Sequence, residues 1–298
     1  MNIEPFMSVL LANWNGARFL NEAIESVQAQ SYDRWEMAVV DTGSEDESCS
    51  IIRRCAGRDR RIKPLFIAER MCCPEALNIG LAETRGEFVA RIESDDRWHA
   101  DRIRAQLDFL RTGGGERVGV CGADAALIDE TGRPIGVKRF PRTHAECLRA
   151  IWYRNPFCHS AALIRKRALE ESGGYSAAFT LVEDLELWFR LGRKWELANV
   201  PRPLVDYRLW GGSLTSRKLR ALAWRAFQAR MTQARRLGYR PPLAARVYSV
   251  CTLAAALLPS LSARRLFEWG LQHMEGDGTI SPRNRRTRTS QVRSQCAR

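Results

Sequence analysis

The chain contains 298 residues, of which 45% are hydrophobic, and its formal net charge at pH 7 is +13. That length fits one large domain with or without an appendage, and the hydrophobic content excludes a mostly disordered chain. The positive charge is concentrated in residues 217–298, which hold 17 basic and 3 acidic residues. Residues 1–216 carry a net charge of −1, so we expect their chemistry to need no polyanionic partner.

The nine cysteines form neither a CxxC pair nor a Cys/His zinc-binding spacing. The odd count, with no apolar secretory segment at the start, predicts a reducing cytoplasmic environment. Residues 247–261 are apolar, but they fall short of the roughly 20 residues that span a bilayer. The sequence therefore predicts no transmembrane helix.

Strand and helix patterns alternate through the first 110 residues. Short apolar runs predict strands at residues 7–12, 35–40, 62–67 and 88–92. Helical spacing of apolar residues predicts helices at residues 19–30, at 44–57 with Ser44 or Asp46 as the N-cap, at 74–83 and at 100–110. This alternation predicts a doubly wound α/β sheet, whose ligands bind at the carboxyl ends of the strands.

The pattern changes after residue 115. Residues 118–122 and 135–140 flank a turn and predict a hairpin-like insertion, followed by a strand at 160–164, a helix at 183–191 and a last strand at 204–208. The organisation that we predict is a catalytic domain over residues 1–215, a basic helical extension over 216–274 and a disordered basic tail over 275–298.

Three carboxylates follow the fourth predicted strand within four residues, as Glu93, Asp95 and Asp96. Such a group repels itself unless a cation neutralises it, and oxygen ligands at a strand end suit Mg²⁺ or Mn²⁺ bound to phosphates. The alternative is a solvated loop that caps the next helix.

Two further acidic positions admit a chemical and a structural interpretation. Asp41, at the end of the second strand, could accept hydrogen bonds from a nucleobase or ribose, or could be a helix N-terminal anion. Glu183 and Asp184 open a helix, where an anionic carboxylate could accept a proton or could simply be a cap. The sequence contains no GxGxxG and no GxxxxGK[ST] motif, which disfavours nicotinamide and P-loop chemistry.

Taken in order, these signals resemble the family 2 glycosyltransferases of the GT-A fold over residues 7–215. The matching stretches are SVLLANWNGARFLNEAIESVQAQSYDRWEMAVVDTGSEDES, EALNIGLAETRGEFVARIESDD, NPFCHSAALIRKRALEESGGY, LVEDLELWFRL and VDYRLWGGSLTS. The resemblance implies a Rossmann-like, mostly parallel sheet flanked by helices. It also implies an inverting, metal-dependent transfer of a sugar from a nucleotide-sugar to a hydroxyl group.

The resemblance also implies a role for each motif residue. Asp184 corresponds to the general base, and Glu183 is its motif neighbour. Glu93 and Asp95 occupy the two acidic places of the DxD motif, which holds Mg²⁺ or Mn²⁺ on the donor diphosphate. The residues implied to bind the nucleotide-sugar are Ala12, Asn13, Asn15, Asp41, Asp95, Asp96, Glu183 and Trp210.

Two positions depart from the usual family pattern. Glu93 stands where Asp is usual, and its longer side chain could change the metal geometry or leave Asp95 as the main ligand. Trp210 stands where the family often has His; Trp cannot coordinate a metal and could instead stack on a sugar. His159 is a candidate site contact, with a structural histidine as the alternative.

The basic segment admits three interpretations. It could dock on an anionic membrane surface through residues 217–298, it could be a solvated face, or it could bind nucleic acid. No RRM, KH or zinc-finger pattern supports nucleic acid, and lipid-linked acceptors are frequent in the family, so we predict a membrane surface and no nucleic acid.

The predicted function is sugar transfer from a nucleotide-sugar, expected to be a UDP-sugar, to a sugar or lipid-linked acceptor. We expect this reaction in bacterial cell-surface polysaccharide or glycolipid assembly, in the cytoplasm or peripherally on the inner face of the plasma membrane. The alternative, which Glu93 and Trp210 motivate, is an inactive nucleotide-sugar-binding or assembly protein of the same fold.

Overall fold

The computed structural model describes residues 4–112, 115–213 and 218–257. Nine strands within these ranges form one mixed sheet in the order β3-β2-β1-β4-β8-β6-β9-β5, with β7 paired to β6. The strands are β1 (Met7–Asn13), β2 (Trp35–Thr42), β3 (Ile62–Ile67), β4 (Phe88–Arg91), β5 (Arg97–Trp98), β6 (Val118–Ile128), β7 (Pro134–Lys138), β8 (Leu163–Arg165) and β9 (Glu196–Arg208).

Helices cover both faces of this sheet. They are α1 (Ala17–Gln28), α2 (Ser48–Arg58), α3 (Cys73–Ala82), α4 (Arg102–Arg111), α5 (His144–Ala150), α6 (Lys166–Ser172), α7 (Glu183–Leu191), α8 (Leu219–Arg236) and α9 (Leu243–Leu257). Short 3₁₀ turns occur at Gly115–Arg117, His159–Ala161 and Ala177–Phe179. The predicted disordered tail, residues 275–298, lies outside the described residues.

The first four strands are parallel and form the half of the sheet that carries the predicted site. Every residue of β2 is buried, as expected for a strand covered by helices on both faces. The register of β1 and β2 pairs Asn13 with Asp41, which places these two side chains together at the carboxyl edge. The predicted α/β class with a mostly parallel sheet is confirmed.

The second half of the sheet differs in detail from the sequence prediction. β8 runs antiparallel to both β4 and β6, and β9 runs parallel to β6 over a much longer range than the predicted residues 204–208. Pro201 and Pro203 interrupt the strand pattern in the sequence, since proline cannot donate a ladder hydrogen bond. The structure accommodates them with irregular register where Pro203 faces Asp124.

Neither Ser44 nor Asp46 is the N-cap residue of α2, which is Glu47, although Asp46 contacts the first residue of the helix. Ser44 donates its hydroxyl to Asp41 at 2.7 Å, and the Asp46 carboxylate accepts hydrogen bonds from the backbone N–H groups of Ala17 and Ser48. The helix begins at Ser48 instead. The consequence is that this loop ties the ends of β1 and β2 together.

The described part of the basic segment packs onto the rest of the chain. Gln233 on α8 donates to Glu186 on α7 at 2.7 Å, and the buried Arg230 donates to the backbone oxygen of Ile151 at 3.1 Å. Helix α9 packs in turn against α8. Among the described residues, no helix is both long and apolar enough to cross a bilayer.

A buried carboxylate fastens the opposite, amino-terminal edge of the parallel strands. Glu36 on β2 accepts hydrogen bonds from the Ser8 hydroxyl at 2.9 Å, the Lys63 ammonium at 2.5 Å and the Arg85 backbone N–H at 2.6 Å. These partners come from β1, β3 and the loop before β4. Burial opposes the ionisation of Glu36, but the hydrogen bonds outweigh burial and lower the pKa of Glu36.

We expect Glu36→Gln to lower the free energy of unfolding at pH 7 by about 1–3 kcal/mol, since it removes the charge that these donors satisfy. Because the folded pKa is lowered, the ionised carboxylate stabilises the fold above the unfolded pKa of about 4.3 and loses this effect as pH falls through the folded value. Urea denaturation at neutral and acid pH measures both effects.

The matched control is Glu25→Gln, which changes an exposed carboxylate on α1 and should alter the unfolding free energy by less than about 0.5 kcal/mol. A Glu36→Gln penalty that stayed constant down to about pH 3 would contradict the assigned role of the charge.

Candidate active site

The carboxyl ends of β1 and β2 form a buried polar pair. The Asn13 amide donates to Asp41 Oδ2 at 2.7 Å, and Ser44 donates to the same carboxylate through its hydroxyl and its backbone N–H. The Cys49 thiol also points at Asp41 Oδ1, at 3.4 Å. The amide oxygen of Asn13 is buried with no hydrogen-bond partner, so the pair retains an acceptor that a ligand could use.

The loop from Ala12 to Gly16 connects this pair to the end of β4. Asn15 adopts a left-handed backbone, with φ of 50°, and its side-chain oxygen accepts a hydrogen bond from the Glu45 backbone N–H at 2.8 Å. Gly16 leaves no room for a side chain, because a Cβ there would lie 2.2 Å from Asn13 Oδ1 and 2.9 Å from Ser94 Oγ. Asn13 and the acidic loop therefore both border Gly16.

The three carboxylates after β4 converge. Glu93, Asp95 and Asp96 each bring one oxygen within 4.8 Å of the others. Asp96 is only 1% exposed, and it accepts hydrogen bonds from the Ser160 hydroxyl and from the Arg208 backbone N–H. Because both of its oxygens accept hydrogen bonds inside the protein, Asp96 anchors the loop after β4. Glu93 and Asp95 are partly exposed and face outward.

Crowding of these charges shifts their ionisation. Burial and the charge of Glu93 raise the pKa of Asp95 to about 6. Burial and the charges of Asp95 and Glu93 raise the pKa of Asp96 well above its usual range. Burial opposes the ionisation of Glu93, but the hydrogen bond from His159 outweighs it and lowers the pKa of Glu93. The cluster therefore resists full ionisation by itself, as expected for a site that a cation would complete.

His159 is buried and makes a contact with this cluster. Its Nδ1 lies 3.3 Å from Glu93 Oε1, while Arg91 donates to its Nε2 at 3.2 Å. Since the Arg91 guanidinium can only donate, Nε2 accepts and Nδ1 carries the hydrogen that Glu93 receives. Both sequence-based interpretations of His159, a site contact and a structural histidine, therefore apply, because His159 is buried and contacts Glu93.

The end of β9 closes the other side of the cluster. The Arg208 guanidinium donates to the backbone oxygen of Asp95 at 2.9 Å and to Glu22 at 2.8 Å. The Trp210 indole N–H donates to Asp95 Oδ2 at 2.8 Å, and its ring packs edge-on against Phe19. Trp210 thus stands in the site and occupies one oxygen of Asp95.

Asp184 lies at the N-terminus of α7. One of its oxygens accepts from the Asn155 amide and the other from the Leu185 backbone N–H at 2.6 Å. Asn155 is itself oriented, because its side-chain oxygen accepts from the Phe157 backbone N–H at 3.2 Å. The carboxylate is half-buried and lies where the helix dipole favours an anion.

Glu183, which precedes Asp184 in the chain, is more deeply buried. Its Oε2 is buried without a hydrogen-bond partner, and burial, then the charge of Asp184, raises the pKa of Glu183. The Cys73 thiol hydrogen-bonds to Glu183. Burial, then the charges of Glu183 and Glu93, raises the pKa of Cys73 well above its usual value.

A second connection runs through Tyr175. Its hydroxyl lies 3.1 Å from His159 Nε2. Burial raises the pKa of Tyr175, and the charges of Cys73, Asp184 and Glu183 raise it further. The structure therefore brings the β1–β2 pair, the acidic cluster and the start of α7 into one continuous polar region.

The donor set fits a hard divalent cation. Glu93 and Asp95 offer outward carboxylate oxygens within 4.8 Å of each other, and oxygen ligands of this kind suit Mg²⁺ or Mn²⁺. Asp96 adds negative charge beneath them. A cation would have to share or displace the indole N–H on Asp95 Oδ2 and the His159 contact on Glu93 Oε1.

The residues that the sequence did not single out are the partners of the carboxylates. They are Cys73, Arg91, Asn155, Ser160, Tyr175 and Arg208. All of them except Cys73 lie within the stretches that carry the family resemblance, which is the signal that could have pointed to them. Their roles depend on contacts between distant segments, and no local pattern encodes such contacts.

The family model described as Glycosyl transferase family 2 matches residues 8–173. This range is more than half of the chain and includes the carboxyl ends of β1, β2 and β4. The chain belongs to glycosyl transferase family 2.

Curated family members from bacteria match much of the chain. An uncharacterized glycosyltransferase of Haemophilus influenzae is 26% identical over 226 residues, which cover 71% of this chain and 68% of that protein. EpsE of Bacillus subtilis, to which a glycosyltransferase activity is ascribed, is 30% identical over 193 residues, covering 64% of this chain and 68% of that protein. TuaG of Bacillus subtilis, ascribed to teichuronic acid biosynthesis, is 32% identical over 109 residues, 37% of this chain and 43% of TuaG.

Solved structures confirm the GT-A fold. The mannosyltransferase PcManGT from Pyrobaculum calidifontis, in complex with GDP-Man and Mn²⁺, has a TM-score of 0.61 at 19% identity, over 91% of this chain and 81% of that one. TarS 1–349 of S. aureus, in complex with UDP, has a TM-score of 0.58 at 16% identity. This alignment covers 75% of the family 2 chain and 65% of TarS 1–349.

We expect Glu93→Gln and Asp95→Asn each to lower the affinity for Mn²⁺ at least about tenfold, because each removes a charged oxygen from the cluster. Isothermal titration of the full chain with MnCl₂ in the presence of UDP measures this affinity. Glu130→Gln is the matched control, since Glu130 is an exposed carboxylate paired with Arg18 outside the cluster. Equal Mn²⁺ affinity in all four proteins would place the metal elsewhere.

Proposed function

We propose that this chain is a metal-dependent, inverting glycosyltransferase that moves a sugar from a nucleotide-sugar to a hydroxyl acceptor. The observation that carries the proposal is the placement of three elements around one polar region. These are the Asn13–Asp41 pair, the outward carboxylates of Glu93 and Asp95, and Asp184 at the start of α7. Such an arrangement separates nucleoside binding, diphosphate binding and proton acceptance.

The nucleoside part of the donor is assigned to the ends of β1 and β2. Asp41 and the unpartnered amide oxygen of Asn13 provide acceptors for a base or ribose, with Ala12 and Asn15 beside them. Two similar solved structures contain UDP and GDP-Man. We propose a UDP-sugar as the donor of this chain.

The diphosphate is assigned to the acidic cluster. In our proposal Glu93 and Asp95 hold Mg²⁺ or Mn²⁺, and Asp96 fixes the loop through Ser160 and Arg208. A divalent cation there would neutralise the negative charge that develops on the departing nucleoside diphosphate. His159 keeps the Glu93 carboxylate turned toward this position.

Proton acceptance is assigned to Asp184. Its carboxylate would take the proton of the acceptor hydroxyl as that oxygen attacks the anomeric carbon from the side opposite the leaving group, which inverts the configuration. Asn155 holds Asp184 from one side. Glu183 precedes it in the chain, and burial, then the charge of Asp184, raises the pKa of Glu183.

Trp210 is proposed to bind the sugar rather than the metal. Its indole N–H bonds to Asp95 and its ring lies against Phe19, so the aromatic side chain lines the space next to the diphosphate position. An aromatic face is a common surface for the apolar side of a sugar ring.

We place the reaction in bacterial cell-surface polysaccharide or glycolipid assembly. TuaG is ascribed to teichuronic acid biosynthesis, and this similarity supports a sugar or lipid-linked acceptor for the present chain. We assign the transfer to residues 1–215 and treat 216–274 as an extension of that domain. A peripheral location on the inner face of the plasma membrane stays a prediction.

One observation favours the alternative of an inactive nucleotide-sugar-binding protein. The Trp210 indole occupies one Asp95 oxygen, and this contact competes with a cation. UDP binding without UDP release from any UDP-sugar in the presence of Mn²⁺ would support that alternative over the enzyme.

We expect Asp184→Asn to lower the transfer rate by roughly 10²–10⁴-fold, because an amide cannot accept the hydroxyl proton. UDP release is measured with UDP-glucose, UDP-galactose and UDP-N-acetylglucosamine in the presence of MnCl₂ and candidate acceptors. The dissociation constant for UDP should stay within about twofold, since Asp184 lies outside the proposed nucleotide site.

Glu170→Gln on α6 serves as the matched control, because it neutralises an exposed carboxylate remote from the cluster. Thermal melting and UDP binding report whether each variant is folded. Unchanged turnover of Asp184→Asn in a folded, UDP-binding protein would overturn the assigned mechanism.

A further inference from the structure

Helix α9 exposes an apolar stripe on the side opposite its packed face. Leu243, Val247 and Val250 are 76%, 54% and 58% exposed, and Cys251 and Ala254 are exposed beside them. These positions recur at helical spacing, so their side chains share one face. Ala245 and Ser249, on the other side of α9, are each 1% exposed.

The surroundings of this stripe are basic. Residues 218–257 contain eight Lys or Arg residues and no Asp or Glu. Arg235, Arg236 and Arg240 are exposed at the turn between α8 and α9, and Arg246 is exposed within α9 next to Val247. Arg230 is excluded from this set, because it is buried and bonded to the backbone of Ile151.

We propose that the α9 stripe, formed by Leu243, Val247, Val250, Cys251 and Ala254, docks on a lipid bilayer that carries anionic headgroups. The apolar side chains enter the interface between headgroups and acyl chains, and the neighbouring arginines contact lipid phosphates. The helix lies in the plane of the membrane and does not cross it.

Charge complementarity selects this occupant over two others. A second copy of the chain would bring an identical set of arginines against the first across a two-fold axis, which is repulsive. Residues 258–298 carry eight basic and three acidic residues, so their net charge has the same sign as this surface. An anionic lipid layer offers both the apolar phase and the opposite charge.

The charge alone would also suit a nucleic acid, but the stripe would not. Phosphate neutralisation needs cations and no apolar face. Three large aliphatic side chains exposed along one helix favour an apolar environment instead.

The inference stands apart from the transfer reaction, because α9 contains none of the proposed active-site residues. The test therefore uses the full chain without donor or metal. Flotation with vesicles that contain phosphatidylglycerol is compared with flotation with vesicles of phosphatidylcholine alone. We expect binding to the anionic vesicles, weakening as the salt concentration rises.

The decisive variant is the double substitution Val247→Gln and Val250→Gln. Its partition onto anionic vesicles should fall on the order of tenfold, since two exposed aliphatic side chains no longer enter the interface. The matched control is Ile135→Gln with Val137→Gln, which removes two exposed aliphatic side chains from β7 and should leave binding within about twofold. Arg235→Gln with Arg236→Gln and Arg240→Gln should weaken binding to anionic vesicles and flatten its salt dependence.

Several results would overturn the proposal. Equal binding to both kinds of vesicle would show that the arginines do not contribute to binding. Unchanged binding of the Val247→Gln, Val250→Gln protein would show that the stripe does not contribute. Self-association without lipid that this variant abolished would assign the stripe to a second copy. A DNA duplex that bound the full chain and this variant equally, and displaced the vesicles, would assign the surface to nucleic acid. Thermal melting and UDP release, both expected to be unchanged, show that the variants are folded.

Discussion

Three carboxylates at the end of β4 are the constraint around which the site is built. Like charges within 4.8 Å of one another repel strongly at a partly buried position. Each carboxylate therefore has its own means of support: His159 for Glu93, the Trp210 indole for Asp95, and Ser160 with the Arg208 backbone for Asp96. The remaining repulsion is what a divalent cation would relieve.

These supports come from segments far apart in the chain. Ser160 and His159 lie on the 3₁₀ turn before β8, Arg208 is the last residue of β9, and Trp210 follows it. The antiparallel half of the sheet therefore supplies the side chains that contact the carboxylates, whereas the carboxylates themselves follow β4 in the parallel half. Tyr175 extends the same network from His159, and the Cys73 thiol hydrogen-bonds to Glu183 at the start of α7.

The parallel half of the fold was predictable from the sequence because its signals are local. The buried strands β1, β2 and β4 are short apolar runs, and their order fixes where Asn13, Asp41 and Glu93 meet. The long strand β9 was not predictable, because Pro201 and Pro203 oppose a strand locally and only pairing with β6 overrides them. The N-cap of α2 was misassigned for a similar reason, since Ser44 accepts a hydrogen bond from the backbone N–H of Asn15, which is 29 residues away in the chain.

The candidate residues of the site were visible as carboxylates at strand and helix ends, and the ordered stretches gave them expected roles. Burial distinguishes the three carboxylates of the cluster. Asp96 is buried, whereas Glu93 and Asp95 are partly exposed. The charge of the chain is also divided between regions. Residues 1–216 are nearly neutral and carry the carboxylates of the site, and the basic helix α8 packs against them at α7.

The central claim is that a nucleoside diphosphate and a divalent cation bind together at the Asp41 and Glu93–Asp95 positions. Thermal unfolding of the full chain with UDP, GDP, ADP or CDP, each with and without Mn²⁺, measures it most directly, since a ligand that binds only the folded state raises the melting temperature. The account predicts a clear rise with UDP and Mn²⁺ together that Glu93→Gln diminishes. A rise of the same size with UDP alone, or no rise with any nucleotide, would contradict it.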